Sequence, residues 1–455
     1  MRFKNVIKEH PAIHYVYDRM QIVSPLGRAG LMDMPFLTNV ETLQHELDLV
    51  ESMMALRKVG ENQNPIRSMT EQLRQLNDIR PTVAQMANGA VLDDIQFFEI
   101  KKTAIISRTI ASALSSMACS EFPLDDVDGL IDILDPERTG IPHFYIYSAY
   151  SETLSELREQ LKKCEEPEEK AALMFREEQE EDAIRAMLTQ RVGEYRKALS
   201  RNLETLAHLD VVMAKAALAE QWHACRPQIA NYTECKQLFN PQVAEVLSQQ
   251  GKRFQPVDIR FARETVLITG ANMAGKSVLL KTLALAQYLF QFAFFVPATS
   301  ATMAVVDEVI TSIGDNQSEL SGLSSFATEI LTVDHIIRTG REGLSVLALV
   351  DELARTTNPE EGKRLVSAFV KIARQLGITA VITTHYGGVE ATCRRLRVKG
   401  LTVGNMQKVT VHNLSDYMDY SLVETADDEV PKEALTIAEM LGVDGEFLQF
   451  AKECQ

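Results

Sequence analysis

The sequence predicts an α/β domain with a largely parallel sheet, preceded by an all-helical region. From about Tyr232 onward, short β-rich runs alternate with helical ones, and Thr265–Thr269, Leu344–Val350 and Thr379–Thr383 are the clearest strands. Strand, loop, helix and strand again is the order that a parallel sheet with crossover helices requires. Before that point residues 1–120 read as helical segments with short breaks, and Tyr150 to Ala224 is helical and highly charged. No repeat at a fixed period is evident.

Each element has its own justification. Glu41 to Glu51 places Leu43, Leu47 and Val50 on one face, as a helix packed on a core demands. Gly129, Pro136, Gly140 and Pro142 make Asp125 to Ser148 a loop-rich connection. In Tyr150–Ala224, Leu154, Leu157 and Leu161 precede an acidic middle (Glu165 to Asp182), and Leu199, Leu203, Leu206 and Leu209 follow it. This reads as two long helices, a lever or hairpin around an acidic tip, with the glutamates on a solvated face.

At 455 residues the chain exceeds one ordinary domain. The most apolar stretch, Val278 to Pro297, is interrupted by Lys281, Gln287 and Gln291, so no membrane partner is expected and a cytoplasmic location is. Cys119, Cys164, Cys225, Cys235, Cys393 and Cys454 are scattered without a C-x-x-C pair, which argues against a disulfide framework and a zinc site. The formal charge of −16 weighs against a broad nucleic-acid-binding face, because phosphate contacts need a basic excess. The run Arg394-Arg395-Leu396-Arg397-Val398-Lys399 is the one local basic cluster and reads as fold surface.

The chemistry is concentrated at three strand ends. Gly270-Ala271-Asn272-Met273-Ala274-Gly275-Lys276-Ser277 satisfies G-x-x-x-x-G-K-[ST], with a strand leading in and a helix from Val278 leading out. Glycines let backbone N–H groups curl around phosphate oxygens, and the helix N-terminus adds partial positive charge. Lys276 would reach the β- and γ-phosphates of ATP, and the Ser277 hydroxyl would ligate Mg²⁺. The second strand delivers Asp351-Glu352, Asp351 for Mg²⁺ or its water shell and Glu352 to polarise the attacking water. The third ends in Thr384-His385-Tyr386, where His385 would contact the γ-phosphate or that water. The Ser/Gly-rich turn Ser321 to Glu329 runs into a helix and is a further candidate anion site.

In order and spacing this set resembles the MutS family of ABC-type ATPases, over about Leu206 to Ala451. Gly270–Ser277 is similar to G-P-N-M-[GA]-G-K-S, Ser321–Glu329 to S-G-x-S-T-F-x-x-E, Asp351–Arg355 to D-E-[IL]-G-R and Thr384–Tyr386 to T-H-Y. The resemblance implies an ATP hydrolase with ATP and Mg²⁺ as cofactors. It implies a dimer, homo- or heteromeric, in which Ser321, Gly322 and Ser324 of one subunit complete the other's site. The tail fits a helical dimerisation element, with Pro431 at a helix start, an apolar face of Ala434, Leu435, Ile437, Ala438 and Leu441, a break at Gly442 and a second helix from about Asp444.

The departures are Ala271 for proline, Val278 for threonine, Thr356 for glycine, Ser325 for threonine and Leu323 at the variable signature position, with Gln317 and Ser318 where acids are usual. Relative to mismatch-recognising members, the expectation is a chain without the F-x-E wedge and connector domains and without a following nuclease domain. The acidic segment Lys162–Arg185 stands where a β-rich clamp would lie. The expected divisions are a helical core and lever domain at 1–235, a P-loop ABC-type ATPase domain at 236–430 and a helical dimerisation element at 431–455. Two targets stay open: mismatched or branched DNA, as the family implies, or a protein such as an adenosylcobalamin-dependent aminomutase, which suits the acidic lever better.

Overall fold

The computed structural model describes residues 1–141, 143–271, 274–314, 325–401, 417–425, 434–440 and 442–453. The amino-terminal half is built from helices: α1 (Phe3–Glu9), α2 (Pro11–Arg19), α3 (Pro25–Asp33), α4 (Val40–Lys58), α5 (Gln63–Arg74), α6 (Arg80–Ala87) and α7 (Asp94–Ser116). Then come α8 (Asp128–Leu134), α9 (Glu152–Lys163), α10 (Pro167–Gly193) and α11 (Arg196–Trp222). Local chemistry sets several starts. Ser24 caps α3 ahead of Pro25, Asn39 caps α4, and Asp93 with Gln96 forms a reciprocal capping box on α7.

The predicted face of Leu43, Leu47 and Val50 is fully buried on α4, which packs on α11. Leu199, Leu203, Leu206 and Leu209 bury on α11, and the buried Asp210 beside them accepts from the Ser24 backbone N–H at 2.8 Å, which ties α3 down.

Two expectations change here. The connection at Asp125–Ser148 contains a helix, α8, because Leu130, Ile131 and Leu134 reach the core despite the surrounding glycines and prolines. The acidic stretch is not a tip between two long helices. Its residues from Glu168 to Asp182 lie inside α10, and three helices occupy the region instead of two. Arg158 of α9 and Arg185 of α10 supply the counter-charge that lets these acids line a helix: Arg158 meets Glu177 and Glu181 at 2.8 and 2.7 Å.

The carboxyl-terminal half opens with β1 (Gln228–Ala230), β2 (Thr233–Leu238), α12 (Pro241–Gln249), β3 (Val257–Phe261), β4 (Thr265–Thr269) and α13 (Lys276–Gln291). It continues with β5 (Ser300–Ala304), β6 (Glu308–Ser312), α14 (Ser325–Arg341), β7 (Val346–Val350), α15 (Pro359–Leu376) and β8 (Thr379–Thr384). The last elements are β9 (Arg394–Leu401), β10 (Met418–Glu424), α16 (Ala434–Met440) and α17 (Gly445–Glu453). The change from helix to strand comes at β1, and a division at 235/236 falls within β2.

Six strands form one sheet in the order β10-β9-β4-β8-β7-β6, parallel except for the antiparallel edge strand β10. A second, mixed sheet of order β1-β5-β2-β3 was not foreseen, because its strands are short and their pairing is non-local. All five residues of β4 and of β7 are buried, as central parallel strands covered on both faces should be.

α13 is buried nearly all round and ends against the helical half. The Phe292 ring lies 5.1 Å from Phe3 and 5.5 Å from Phe36, and the buried Lys215 ammonium of α11 donates to the Phe292 carbonyl at 2.7 Å. One apolar core therefore runs through both halves.

Three of the four cations of the basic run on β9 are paired within the fold. Arg394 pairs with Glu424 and Glu264, Lys399 with Asp419, and Arg395 donates to the Val389 and Ala391 carbonyls. Among the described residues the cysteines are free thiols, no group of three or more His, Cys, Asp or Glu could hold a metal ion, and no helix is long and apolar enough to cross a membrane.

Candidate active site

β4 sits between β9 and β8 and ends at Thr269, and from Gly270 the chain turns into the loop that precedes α13. Gly275 must be glycine for two reasons: its φ is +73°, and a Cβ there would stand 3.0 Å from the Tyr420 ring. Lys276 opens α13 and is only 3% exposed. Its ammonium donates to the Gly270 and Ala271 carbonyls at 2.8 and 3.0 Å and lies 3.2 Å from a Glu352 carboxylate oxygen. Ser277 and Val278 follow in the first turn, and Ala274 is buried beneath the loop. Asn272 and Met273 lie outside the described residues, as do Ser321, Gly322 and Ser324 of the expected signature.

β7 and β8 bring their carboxylates and histidine to the same edge. The Thr383 hydroxyl donates to Asp351 Oδ1 at 2.6 Å, and Thr383 Oγ1 itself accepts from the Glu352 backbone N–H at 3.0 Å. One threonine on β8 therefore orients both members of the acid pair on β7. Glu352 and Ala354 have φ of +47° and +64°, a left-handed backbone that costs roughly 1–3 kcal/mol per residue. Neighbours hold the turn there. The Ala354 N–H donates to Glu329 of α14 at 2.9 Å, and the Tyr386 hydroxyl donates to the Ala354 carbonyl at 2.7 Å.

His385 follows β8 with Nδ1 4.0 Å from Glu352 Oε2, and Arg355 reaches the same oxygen at 3.8 Å. Burial holds the His385 imidazole below its ordinary value, against the opposing pull of the Glu352 carboxylate, so it is neutral near pH 7. Lys276, Asp351, Glu352 and His385, nominated from separate motifs, thus converge at the C-terminal edge of three adjacent parallel strands, the usual ligand position in such sheets.

Beside the loop opens an apolar cavity of about 270 Å³, walled by Val243 and Leu247 of α12, Phe254, Val278, Val398 and Tyr420. Gln255 fixes its rim by donating to Asp419 at 2.8 Å. Sequence reasoning missed this cavity, along with Thr383 and Glu329. The glutamate is visible as the last residue of the Ser321–Glu329 segment, but nothing local announces Phe254 or Tyr420, which lie far apart in the chain.

The model of MutS domain V matches residues 266–454, the stretch that carries this glycine turn, buried lysine and oriented acid pair. The match takes in less than half of the chain, and over this region the sequence is similar to MutS domain V. It is similar to proteins named endonuclease MutS2 from Levilactobacillus brevis, at 34% identity over 220 residues, covering 47% of this chain and 27% of that protein. The one from Pediococcus pentosaceus is 36% identical over 213 residues, covering 46% and 26%. The one from Thermus thermophilus is 33% identical over 220 residues, covering 48% and 28%. The match spans about a quarter of the length of these relatives.

Proposed function

We propose that this chain binds ATP with Mg²⁺ at the mouth of the six-stranded sheet and hydrolyses it, so that nucleotide state drives a conformational switch. The observation that carries the reading is the meeting of Lys276 with Glu352 at 3.2 Å inside a glycine turn. A cation for phosphate oxygens and a carboxylate for water stand side by side where the loop amides and the helix N-terminus converge.

In this reading residues 270–278 wrap the phosphates and the apolar cavity takes the adenine. Ser277 and Asp351 hold Mg²⁺ together with phosphate oxygens and water, the shared coordination that this ion favours. The ion, when bound, neutralises phosphate charge. Glu352 orients the attacking water and accepts its proton, and His385 senses the γ-phosphate. Ser321, Gly322 and Ser324 of a second subunit complete the site. A dimer is supported by the exposed Phe447 and Phe450 on α17, apolar side chains at a surface suited to a partner.

The target proposed first is DNA, mismatched or branched, in DNA repair, which the names of the MutS2 relatives support. A second reading, an ATP-dependent factor that remodels a protein such as an aminomutase, is favoured by α10. There the exposed Met174 and Phe175 share a helix with the exposed Glu168, Glu169 and Glu178, whose charge would repel a phosphate backbone.

Turnover assays of Lys276→Ala test the site, and activity at the wild-type rate would refute it. Titration with duplex, mismatched and branched DNA across salt concentrations tests the target. Salt-sensitive affinity supports DNA, and its absence at every salt concentration leaves the protein reading.

A further inference from the structure

The wall of the nucleotide cavity is tied to the amino-terminal helices. Val243 and Leu247, one turn apart on α12, line the cavity, while Glu245 points to the opposite side. There Arg19 of α2 donates to both Glu245 oxygens, at 2.6 and 2.7 Å, and the Tyr15 hydroxyl donates to the same carboxylate. Burial and the neighbouring carboxylate push the Tyr15 phenol up to about 12, so it remains a donor throughout the neutral range. The Arg19 guanidinium stacks over the Tyr15 ring at 5.2 Å. The Tyr15 ring also faces Trp222, stacked at 6.4 Å with only 6° between the planes. Trp222 is the last residue of α11 and the single tryptophan of the chain.

A continuous series of contacts therefore runs from the cavity through α12 to α2 and on to the end of α11, a helix with an extensively buried face. α12 is otherwise lightly held. Asn240 caps its start and contacts Thr282 of α13 at 3.4 Å, and apart from Pro241 its residues are not fully buried. A helix with few core contacts moves readily, so its charged tether has a large share in setting its position.

We propose that Tyr15, Arg19 and Glu245 form a latch that positions α12 against the bound nucleotide and transmits nucleotide occupancy to α11. The three are positioning residues, since none touches the cavity, and Trp222 is a built-in reporter of the latch. This inference rests on the nucleotide reading of the cavity and adds the route by which the helical half responds.

The test uses the full chain, titrated with Mg·ATP while Trp222 emission, excited at 295 nm, and steady-state turnover are followed. The wild type should show a saturable emission change. Glu245→Ala, which removes a doubly hydrogen-bonded carboxylate, should lose most of that change and raise KM roughly tenfold with kcat within about twofold. Glu245→Gln keeps the acceptor for Tyr15 and should restore an intermediate KM, a rescue that a general loss of packing would not produce. Asp18→Asn, on the outer face of α2, should match the wild type.

Wild-type KM and a full emission change in Glu245→Ala, with both lost in Lys276→Ala, would overturn the latch and leave the nucleotide site standing. Absence of ATP binding to the wild type in equilibrium dialysis would overturn the two together.

Discussion

At the mouth of the six-stranded sheet two carboxylates are held singly and closely. Thr383 fixes Asp351 at 2.6 Å, and Glu352 meets Lys276 at 3.2 Å with its side chain only 14% exposed. Along α9 and α10 carboxylates are far more numerous and far less constrained. Arg158 and Arg185 gather Glu177, Glu181, Asp182 and Asp94, while Glu165, Glu166, Glu168, Glu169 and Glu178 face solvent. The contrast teaches that acidity alone does not make an ordered site. Burial beside a fixed cation strengthens each interaction at the sheet edge, whereas water and salt screen the same groups on the helix.

The comparison breaks most readily at Glu352. Glu352→Gln keeps the shape and removes the proposed base, so turnover should fall roughly 10²–10⁴-fold while ATP still binds. Glu178→Gln on α10 should leave turnover unchanged, and parallel rate and binding assays check both. If the two variants behaved alike, the distinction between held and solvated acids would fail.

Thr383→Val comes next. It removes the donor to Asp351 and one acceptor for the Glu352 N–H, so stability should drop by about 1–3 kcal/mol, read by denaturant unfolding, with turnover falling roughly tenfold. An effect on stability alone would mean that the threonine is structural and does not orient the acid pair.

Lys215 sharpens the comparison from the side of a buried cation. Burial drags its ammonium down from 10.5 to about 8. Between those values the unfolded chain binds the extra proton, so this group's contribution to stability rises as pH climbs from about 8 towards 10.5 and is least favourable below 8. Lys215→Met should lack that rise, so the wild type should gain on it in melts taken from pH 7.5 to 10. Equal slopes would place the titration elsewhere.

The smallest effect is expected at Arg158. Its pairs with Glu177 and Glu181 are about a quarter exposed, so Arg158→Ala should cost no more than about 1 kcal/mol, and added salt should shrink the difference further. A larger, salt-independent loss would show that α9 and α10 depend on this junction as the sheet edge depends on Lys276.

The amino-acid sequence by itself determined the order of helical and α/β halves, the strands β4, β7 and β8, and the identity of Lys276, Asp351, Glu352 and His385. Each of those features is carried by a short run in which periodicity or spacing is enough: an apolar strand, a glycine turn, a helix start. The sequence also marked the acids of α10, though not that Arg158 would draw them into a helix pair in place of a tip. Only the tertiary structure decided which strands would be neighbours, and with that the place of Thr383 between the two acids, of Phe254 and Tyr420 around one cavity, and of Tyr15 and Arg19 on Glu245. Those groups lie up to 230 residues apart in the chain, as Tyr15 and Glu245 do. Burial of a common core brings them together, and that is a property of the whole fold which no local pattern encodes.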